Sequence, residues 1–510
     1  MAQPPGTAPT TSPGASDDAG ATGADDFPVG RTRVTVDGER LTCVDVVRIA
    51  RREAAAELSP GALDRARRAH ETVERIGAAR AVYGRTTGVG ANRSHEVGAD
   101  DAREHGLRLL RSHAGGTGEL CPPELVRATL AIRLNQLAAG GSGVHPRMLH
   151  ALDGALSVGA LPRVHRRGAI GTGDLTALAE IGLTLAGEHP WIEGRVPSIP
   201  IDPGDALAFI SSNAATLAAC VLAWHDLRRL LRASHAVAAL SFLALGGSPE
   251  AYAAAVHASR PHPGSVACAA EMRRLLGLDD EASEGRRLQD PFGLRAFPQV
   301  QGPALEAVDA LEAVLAVDIN AAAENPLISA DPEAVYHHGH FATAHLALAL
   351  DGLRAAVHHV AELSAMRLGD LVEPDQTGLA AFLADGPAGS SGIMILEYVT
   401  HDALSELRHA ASPVTLGNAV ISRGLEDHAS FTTQAARSTA TSIDAYRTML
   451  ACELIGAVRA LWLSDAELGD IPVSRAYATV RNAVPMVAED HPLTDEIARA
   501  AALVDDLADC

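Results

Sequence analysis

The stretch "RRGAIGTGDLTALAE", Arg166–Glu180, sets three glycines and a threonine within six residues and runs directly into an apolar segment with helical spacing. Three readings compete for it: a phosphate cradle, a helix cap, or a backbone that rearranges into a reactive group. A Walker-type cradle needs a lysine after its last glycine, and none follows here. The plainest reading is that Thr172 or Asp174 caps a helix beginning near Leu175. Glycine on both sides of Thr172 also opens conformations that no other residue reaches cheaply, so the third reading stays open.

The bulk composition narrows the context. The chain has 510 residues, of which 47% are hydrophobic and only 3% aromatic, so its core must be built from Ala, Leu and Val. That palette suits close helix packing better than a sheet sandwich. The formal net charge of -21 argues against nucleic acid or an anionic membrane surface as a partner. All 42 basic residues are arginines. Without lysine, pyridoxal-phosphate chemistry of the Schiff-base kind is excluded, and amine or carbonyl chemistry needs another electrophile. The six cysteines are scattered, with no closely spaced pair, which predicts reduced thiols in a cytoplasmic protein and neither a zinc knuckle nor a disulfide framework. No basic residue precedes Arg31 and no apolar core region follows the start, so no leader peptide is expected. No uncharged apolar run reaches the roughly 18 residues of a membrane span.

Residues 1–28 are a Pro/Gly/Ala/Ser/Asp tail, expected to be disordered. A β-like stretch at 31–38 follows, and from about Cys43 onward the period is helical. In "HLALALDGLRAAVHHVAEL", Leu346, Leu350, Leu353, Val357 and Val360 step by fours and threes onto one stripe. Leu305, Val308, Leu311 and Val314 are read the same way, and 204–246 and 436–465 are long enough for core helices. The predicted fold is mostly α, a long-helix bundle (216–510) with a smaller N-terminal active-site part (29–215). Glycine-bearing loops at 83–92, 113–118, 168–174, 288–302 and 335–343 carry the unusual chemistry.

Taken singly, those loops read blandly. "YGRTTGVG" (83–90) lacks the strand–helix context of a nucleotide loop, and reads as a surface loop or as a mobile lid bearing a tyrosine base with a lowered pKa. His337, His338 and His340 in "VYHHGHF" have the wrong spacing for two ligands on one helical face, so no metal site is expected. Glu406 would be a solvated helix carboxylate and Arg295 a surface cation or a partner to Asp290.

They do not occur singly. In chain order, "VYGRTTGVG" (82–90), "LLRSHAGGTGE" (109–119), "RLNQLAAGGSGV" (133–144), "QDPFGLRAFPQVQG" (289–302), "INAAAENPL" (319–327), "GHFATAHLALALD" (339–351), "SELRHAASP" (405–413) and "LEDHAS" (425–430) resemble the segments of the histidine and aromatic amino-acid ammonia-lyase family, which includes aminomutases. That family makes a methylidene-imidazolone electrophile from its own Ala-Ser-Gly. The resemblance places Gly171, Thr172 and Gly173 there. Closing the ring joins the third residue's amide nitrogen to the first residue's carbonyl carbon, and dehydration turns the central hydroxyl residue into an exocyclic alkene. From threonine that alkene is an ethylidene, bulkier and less electrophilic, so either a methyl-bearing group forms or none does. The surroundings also depart from the pattern. The family's Asn beside the electrophile becomes Ser211, unless Asn213 substitutes for it. The loop tyrosine is Phe292, the lid Asn is Thr86, and the Gln before Glu-Asp-His is Leu425.

The resemblance implies elimination of ammonia from a histidine-like or aromatic L-α-amino acid. Tyr83 would take the β-proton, Arg295 would hold the carboxylate, and Glu406 and His113 would orient substrate or relay protons. Ser211, Phe292, Asn320 and Phe341 would line the substrate pocket. It also implies a homotetramer with active sites built from several subunits, and neither pyridoxal phosphate nor metal. Three alternatives stay open: a 2,3-aminomutase, a family member that lacks the imidazolone group and catalyses another elimination or addition, and a non-catalytic scaffold homologue.

Overall fold

The computed structural model describes residues 32–280 and 284–510, so the expected N-terminal tail lies outside the described residues. The first strand, Thr32–Val36, pairs in parallel with Ala54–Leu58 across the helix Cys43–Ala50. That helix starts on a capping box: the Thr42 side chain accepts from the Asp45 amide, and the Asp45 carboxylate accepts from the Thr42 amide. Helices Pro60–Ala79, Ala99–His113, Pro123–Ala138, Arg147–Val158 and Leu175–Leu185 complete the N-terminal part. Strands come only as two-stranded ribbons among the described residues.

The bundle follows, built on helices Ala214–Leu245, Phe297–Asp318, Ala344–Val372, Ile395–Ala410 and Thr432–Leu463. The two helices of 32 residues are each about 48 Å long. Leu346, Leu350, Leu353, Val357 and Val360 are all fully buried, as their spacing predicts. On Phe297–Asp318 the buried stripe is instead Ala304, Val308, Leu311 and Leu315, with Leu305 and Val314 half-buried. That stripe keeps Val308 and Leu311 of the expected one and is shifted toward Ala304 and Leu315. The segment Asp205–Leu245 is long and apolar enough to cross a membrane by composition, and most of it is buried inside the fold. One apolar core runs through both the N-terminal part and the bundle, and helix Ala214–Leu245 spans the boundary expected near residue 215. All six cysteines are free.

Buried arginines fix the geometry where apolar packing cannot. Arg133 and Glu324 are within 1% of complete burial and pair at 2.6 Å. The same guanidinium donates to the carbonyl oxygens of Ala208 and Phe209. It thereby holds the end of helix Asp205–Ile210 against the 324–325 segment. A charge this deep is tolerated because the guanidinium is met by Glu324, Gln136 and two backbone carbonyls together. Arg367 does the same elsewhere: it pairs with Glu453 and donates to the carbonyl oxygen of Gly293, fixing the short helix Phe292–Arg295.

Replacing Arg133 with Met leaves the Glu324 carboxylate buried and unpaired. We expect a loss of about 3–5 kcal/mol in urea unfolding, largely recovered in the double variant Arg133→Met/Glu324→Leu. Equal stability of Arg133→Met and the unmodified chain would show that the pair is not structural.

Candidate active site

Three long helices point their N-termini at the loop 168–174. Asn213, Thr343 and Phe431 are the residues that precede their first turns. The loop is stitched to two of these ends. On one side the Phe431 amide donates to the Ile170 carbonyl at 2.9 Å, and Gln434 Nε2 donates to the Ala169 carbonyl at 3.0 Å. On the other, the Asp174 amide donates to the Ser212 carbonyl at 2.7 Å, and the Gly173 amide donates to Asn213 Oδ1 at 3.1 Å. Each helix end leaves unpaired amides and a partial positive charge, so the loop sits in a field that favours negative charge developing beside it.

The two groups that ring closure would join are both held. The Gly171 carbonyl oxygen accepts from Ser430 Oγ at 3.0 Å, within a cluster of the Thr343, Ser430 and Thr432 hydroxyls linked at 2.8–3.1 Å. The Gly173 nitrogen is oriented by Asn213. Gly171 has φ of +84°, and a Cβ there would come within 2.1 Å of Ser430 Oγ. Only glycine combines that backbone with that approach. The residues therefore fit a cyclised Gly171-Thr172-Gly173 group, with Ser430 polarising the carbonyl to be attacked.

Asp174 corrects the capping expectation. It precedes helix Leu175–Leu185 without a side-chain capping bond. Its carboxylate instead accepts from the Thr216 amide and hydroxyl, both at 2.7 Å, and so caps the helix Ala214–Leu245. Burial pushes its carboxyl up to about 6, against the lowering effect of those bonds.

On the open side of the loop lies a cavity of about 720 Å³ into which Thr172 faces, together with Tyr83, His113, Ser211, Phe341 and Leu175. Tyr83 stands on a lid loop closed by the Gly88 amide on the His95 carbonyl and the Val97 amide on the Thr86 carbonyl, both at 2.9 Å. The lid is footed by Arg85, which donates to the Gly143 carbonyl at 3.0 Å and pairs with Glu74. Gly84 has φ of +70°, and a Cβ there would strike Leu207. The Tyr83 oxygen accepts from the Gly90 amide at 2.7 Å. Contrary to the expected lowering, its phenol is pushed up. Burial dominates and Glu426 adds to it, while the Gly90 amide and Arg93 pull the other way. His113 Nδ1 lies 2.8 Å from the Leu109 carbonyl; donation there leaves Nε2 as the acceptor.

Four of the expected residues lie away from this cavity. Glu406 is exposed on the outer face of helix Ile395–Ala410, in a shallow depression with Asp402, Arg408 and His409. Asn320 is a structural clamp: its side chain exchanges two 2.9 Å bonds with the Leu41 backbone and accepts from Asn135. Phe292 is 62% exposed, with the Arg295 guanidinium stacked 4.3 Å above its ring. The cavity is lined instead by Glu426, Asn325 and Arg93, none of which sequence reasoning singled out, and by His337, weighed there only as a metal ligand. Glu426 lay inside the quoted "LEDHAS" segment and Asn325 inside "INAAAENPL", so attention to neighbouring positions in those segments could have found both. Burial raises the Glu426 carboxyl, and His113 partly offsets this. Asn325 donates its amide to Ser211 Oγ at 3.1 Å. The His337 ring meets Tyr83 edge to face at 6.3 Å.

The family model for aromatic amino acid lyases matches residues 41–484. The chain belongs to that family. It is 34% identical to a histidine ammonia-lyase of Anaeromyxobacter sp. (strain K), over 92% of this chain and 98% of that one. Its fold superimposes on the ergothioneine-degrading enzyme ergothionase of Treponema denticola with a TM-score of 0.87 at 26% identity, covering 93% of this chain and 99% of that one. The tyrosine aminomutase of Streptomyces globisporus gives the same TM-score and identity, over 93% and 97%. The chain is thus a carbon–nitrogen lyase of the ammonia-lyase kind, with the mostly helical fold those structures share.

A raised phenol that must be ionised to take a proton has a clear pH signature. We expect kcat/KM to rise by about tenfold per pH unit on its acid limb, and Glu426→Gln, which removes an anion beside Tyr83, to move that limb to lower pH. A limb that stays in place or moves upward would separate Tyr83 from the proton transfer.

Proposed function

We propose that this enzyme eliminates ammonia from a histidine-like L-α-amino acid to give an unsaturated acid. The observation that carries the reading is the meeting of Tyr83, His113, Glu426 and Thr172 around one cavity. A half-buried imidazole and a carboxylate facing the same space suit a polar ring able to donate and accept hydrogen bonds, and they suit a plain phenyl ring poorly. Glu426 takes the role first given to Glu406. Similarity to a histidine ammonia-lyase supports the same substrate class.

Each residue then has a task. Tyr83 accepts the β-proton of the substrate. His113 and Glu426 hold its ring, and Asn325 and Ser211 line the side where its backbone atoms would lie. Gly171-Thr172-Gly173 closes into an ethylidene-bearing imidazolone, held by Ser430 and Asn213; when formed, that group supplies the electrophilic carbon that activates the amine as a leaving group. The helix ends around the loop stabilise the negative charge that accumulates there. No metal or pyridoxal phosphate is required. Free cysteines throughout fit residence in the cytoplasm.

The substrate carboxylate also needs a cation: within one chain Arg93 lines the cavity, whereas Arg295, to which the family resemblance gives this role, lies outside it. We infer that Arg295 supplies it, with Phe292, from another copy of the chain in a homotetramer. Exposed apolar side chains support this: Val317, Leu348 and Tyr398, each more than 60% exposed on three bundle helices, together with Phe292. Arg295 on such a surface can form a charge-assisted pair with a carboxylate in its neighbour's cleft.

A single experiment tests both parts. The purified protein should generate near-ultraviolet absorbance from L-histidine or a close analogue, and Tyr83→Phe and Arg295→Ala should each abolish it. Refolding the two inactive chains together should restore activity in about a quarter of the sites, since only some pairings unite an intact tyrosine with an intact arginine. Turnover retained in Tyr83→Phe would remove the base assignment. Mixed chains that stay inactive would place Arg295 in its own chain's site or in none.

A further inference from the structure

The loop 168–176 has a second face. Behind it, between the N-terminal halves of helices Ala214–Leu245 and Thr432–Leu463, lies a separate cavity of about 380 Å³. Thr172 and Leu175 look into the substrate cleft, whereas Gly168, Ala169, Asp174 and Thr176 look into this one. Its floor is made of small side chains, among them Ala177, Ala215, Ala219 and Ala436, with Leu222 beside them. Small residues on two adjoining helices leave room that larger ones would fill. The volume falls within the roughly 300–1,000 Å³ of small-molecule sites.

Carboxylates outnumber arginines around it, but nearly all are already committed to partners. Glu124 and Asp226 both hold Arg51, at 2.6 and 2.7 Å. Asp444 lies 3.6 Å from Arg447, which also reaches Asp505. Glu119 meets Arg166 at 3.4 Å, and the Asp174 carboxylate is taken up by Thr216. Arg437 is left over. It donates to the carbonyl oxygen of Arg166, and among the described residues it has no ion-pair partner. Burial and the neighbouring Arg166 and Arg167 disfavour its charge and outweigh Cys121 and Asp174, which favour it. An anion arriving at this end would relieve that repulsion and gain a charge-assisted hydrogen bond.

We propose that this cavity is a second ligand site, separate from the catalytic cleft, for a small organic acid: one anionic head on Arg437 and an apolar body over the alanine floor. Its occupant would touch the reverse side of the segment that carries Gly171, Thr172 and Gly173. The site does not depend on which amino acid the cleft accepts.

The dye anilinonaphthalene sulfonate has the required form, and phenylnaphthylamine is its uncharged counterpart. On the full chain we expect saturable fluorescence enhancement with the sulfonate. Affinity should fall about tenfold in Arg437→Gln, toward that of the uncharged dye. It should be lost in Ala440→Trp, which plugs the mouth from an exposed position and leaves the core undisturbed, and be unchanged in Tyr83→Phe. Cys121 lines the same cavity and is half-buried, so peptide mapping after alkylation should show it protected by the sulfonate dye. Wild-type affinity in both Arg437→Gln and Ala440→Trp, loss of binding in Tyr83→Phe, or an unprotected Cys121 would each overturn the proposal.

Discussion

The rest of the structure depends on one convergence: three long helices begin at a single loop. Their N-terminal ends, at Asn213, Thr343 and Phe431, surround Gly171–Asp174 and bond it from two sides. Helix ends with unsatisfied amides are expensive to bury unless something accepts from them. Here the loop's carbonyls and the Asp174 carboxylate do so. The same amides and hydroxyls that finish the helices therefore define the geometry of the loop. This is why so many residues in the bundle, far along the chain from Thr172, bear on its chemistry.

Rigid placement of the surroundings comes from buried ion pairs. Arg133 with Glu324 ties together the two segments that deliver Ser211 and Asn325. Arg367 with Glu453 fixes the helix that displays Phe292 and Arg295 on the surface. In a core of Ala, Leu and Val, where packing surfaces are smooth and interchangeable, such pairs specify register in a way that apolar contacts do not. The cleft is thus held from within its own chain, while the proposed carboxylate clamp is held ready for a neighbour.

Much of this was legible before any coordinates. The stripe Leu346–Leu350–Leu353–Val357–Val360 announces a buried helix through spacing alone; Tyr83 and Thr172 stand in glycine-bearing loops, and His113 ends the helix before another, and their residue types already suggest chemistry. What spacing could not resolve was which of two similar residues turns inward. Glu406 and Glu426, and likewise Asn320 and Asn325, differ in placement because of contacts that exist only in the fold: Asn320 is captured by Leu41, 279 residues away, and Glu426 follows a loop pinned by the Ile421 amide on its own carbonyl. The direction of the Tyr83 shift was equally hidden, since it rests on burial and on Glu426, and both exist only in the folded chain. Asp174 caps a helix, as residue type suggests, but one that starts some forty residues later.

The central claim is that helix ends and hydroxyls hold Gly171-Thr172-Gly173 in the arrangement that closes into a ring. Trypsin should release residues 168–195, between Arg167 and Arg195, as one peptide from the native enzyme. Its mass should be lower than the encoded value by two water molecules, with the loss mapped to residues 171–173. A peptide of full encoded mass from protein that turns over its amino acid would contradict the claim.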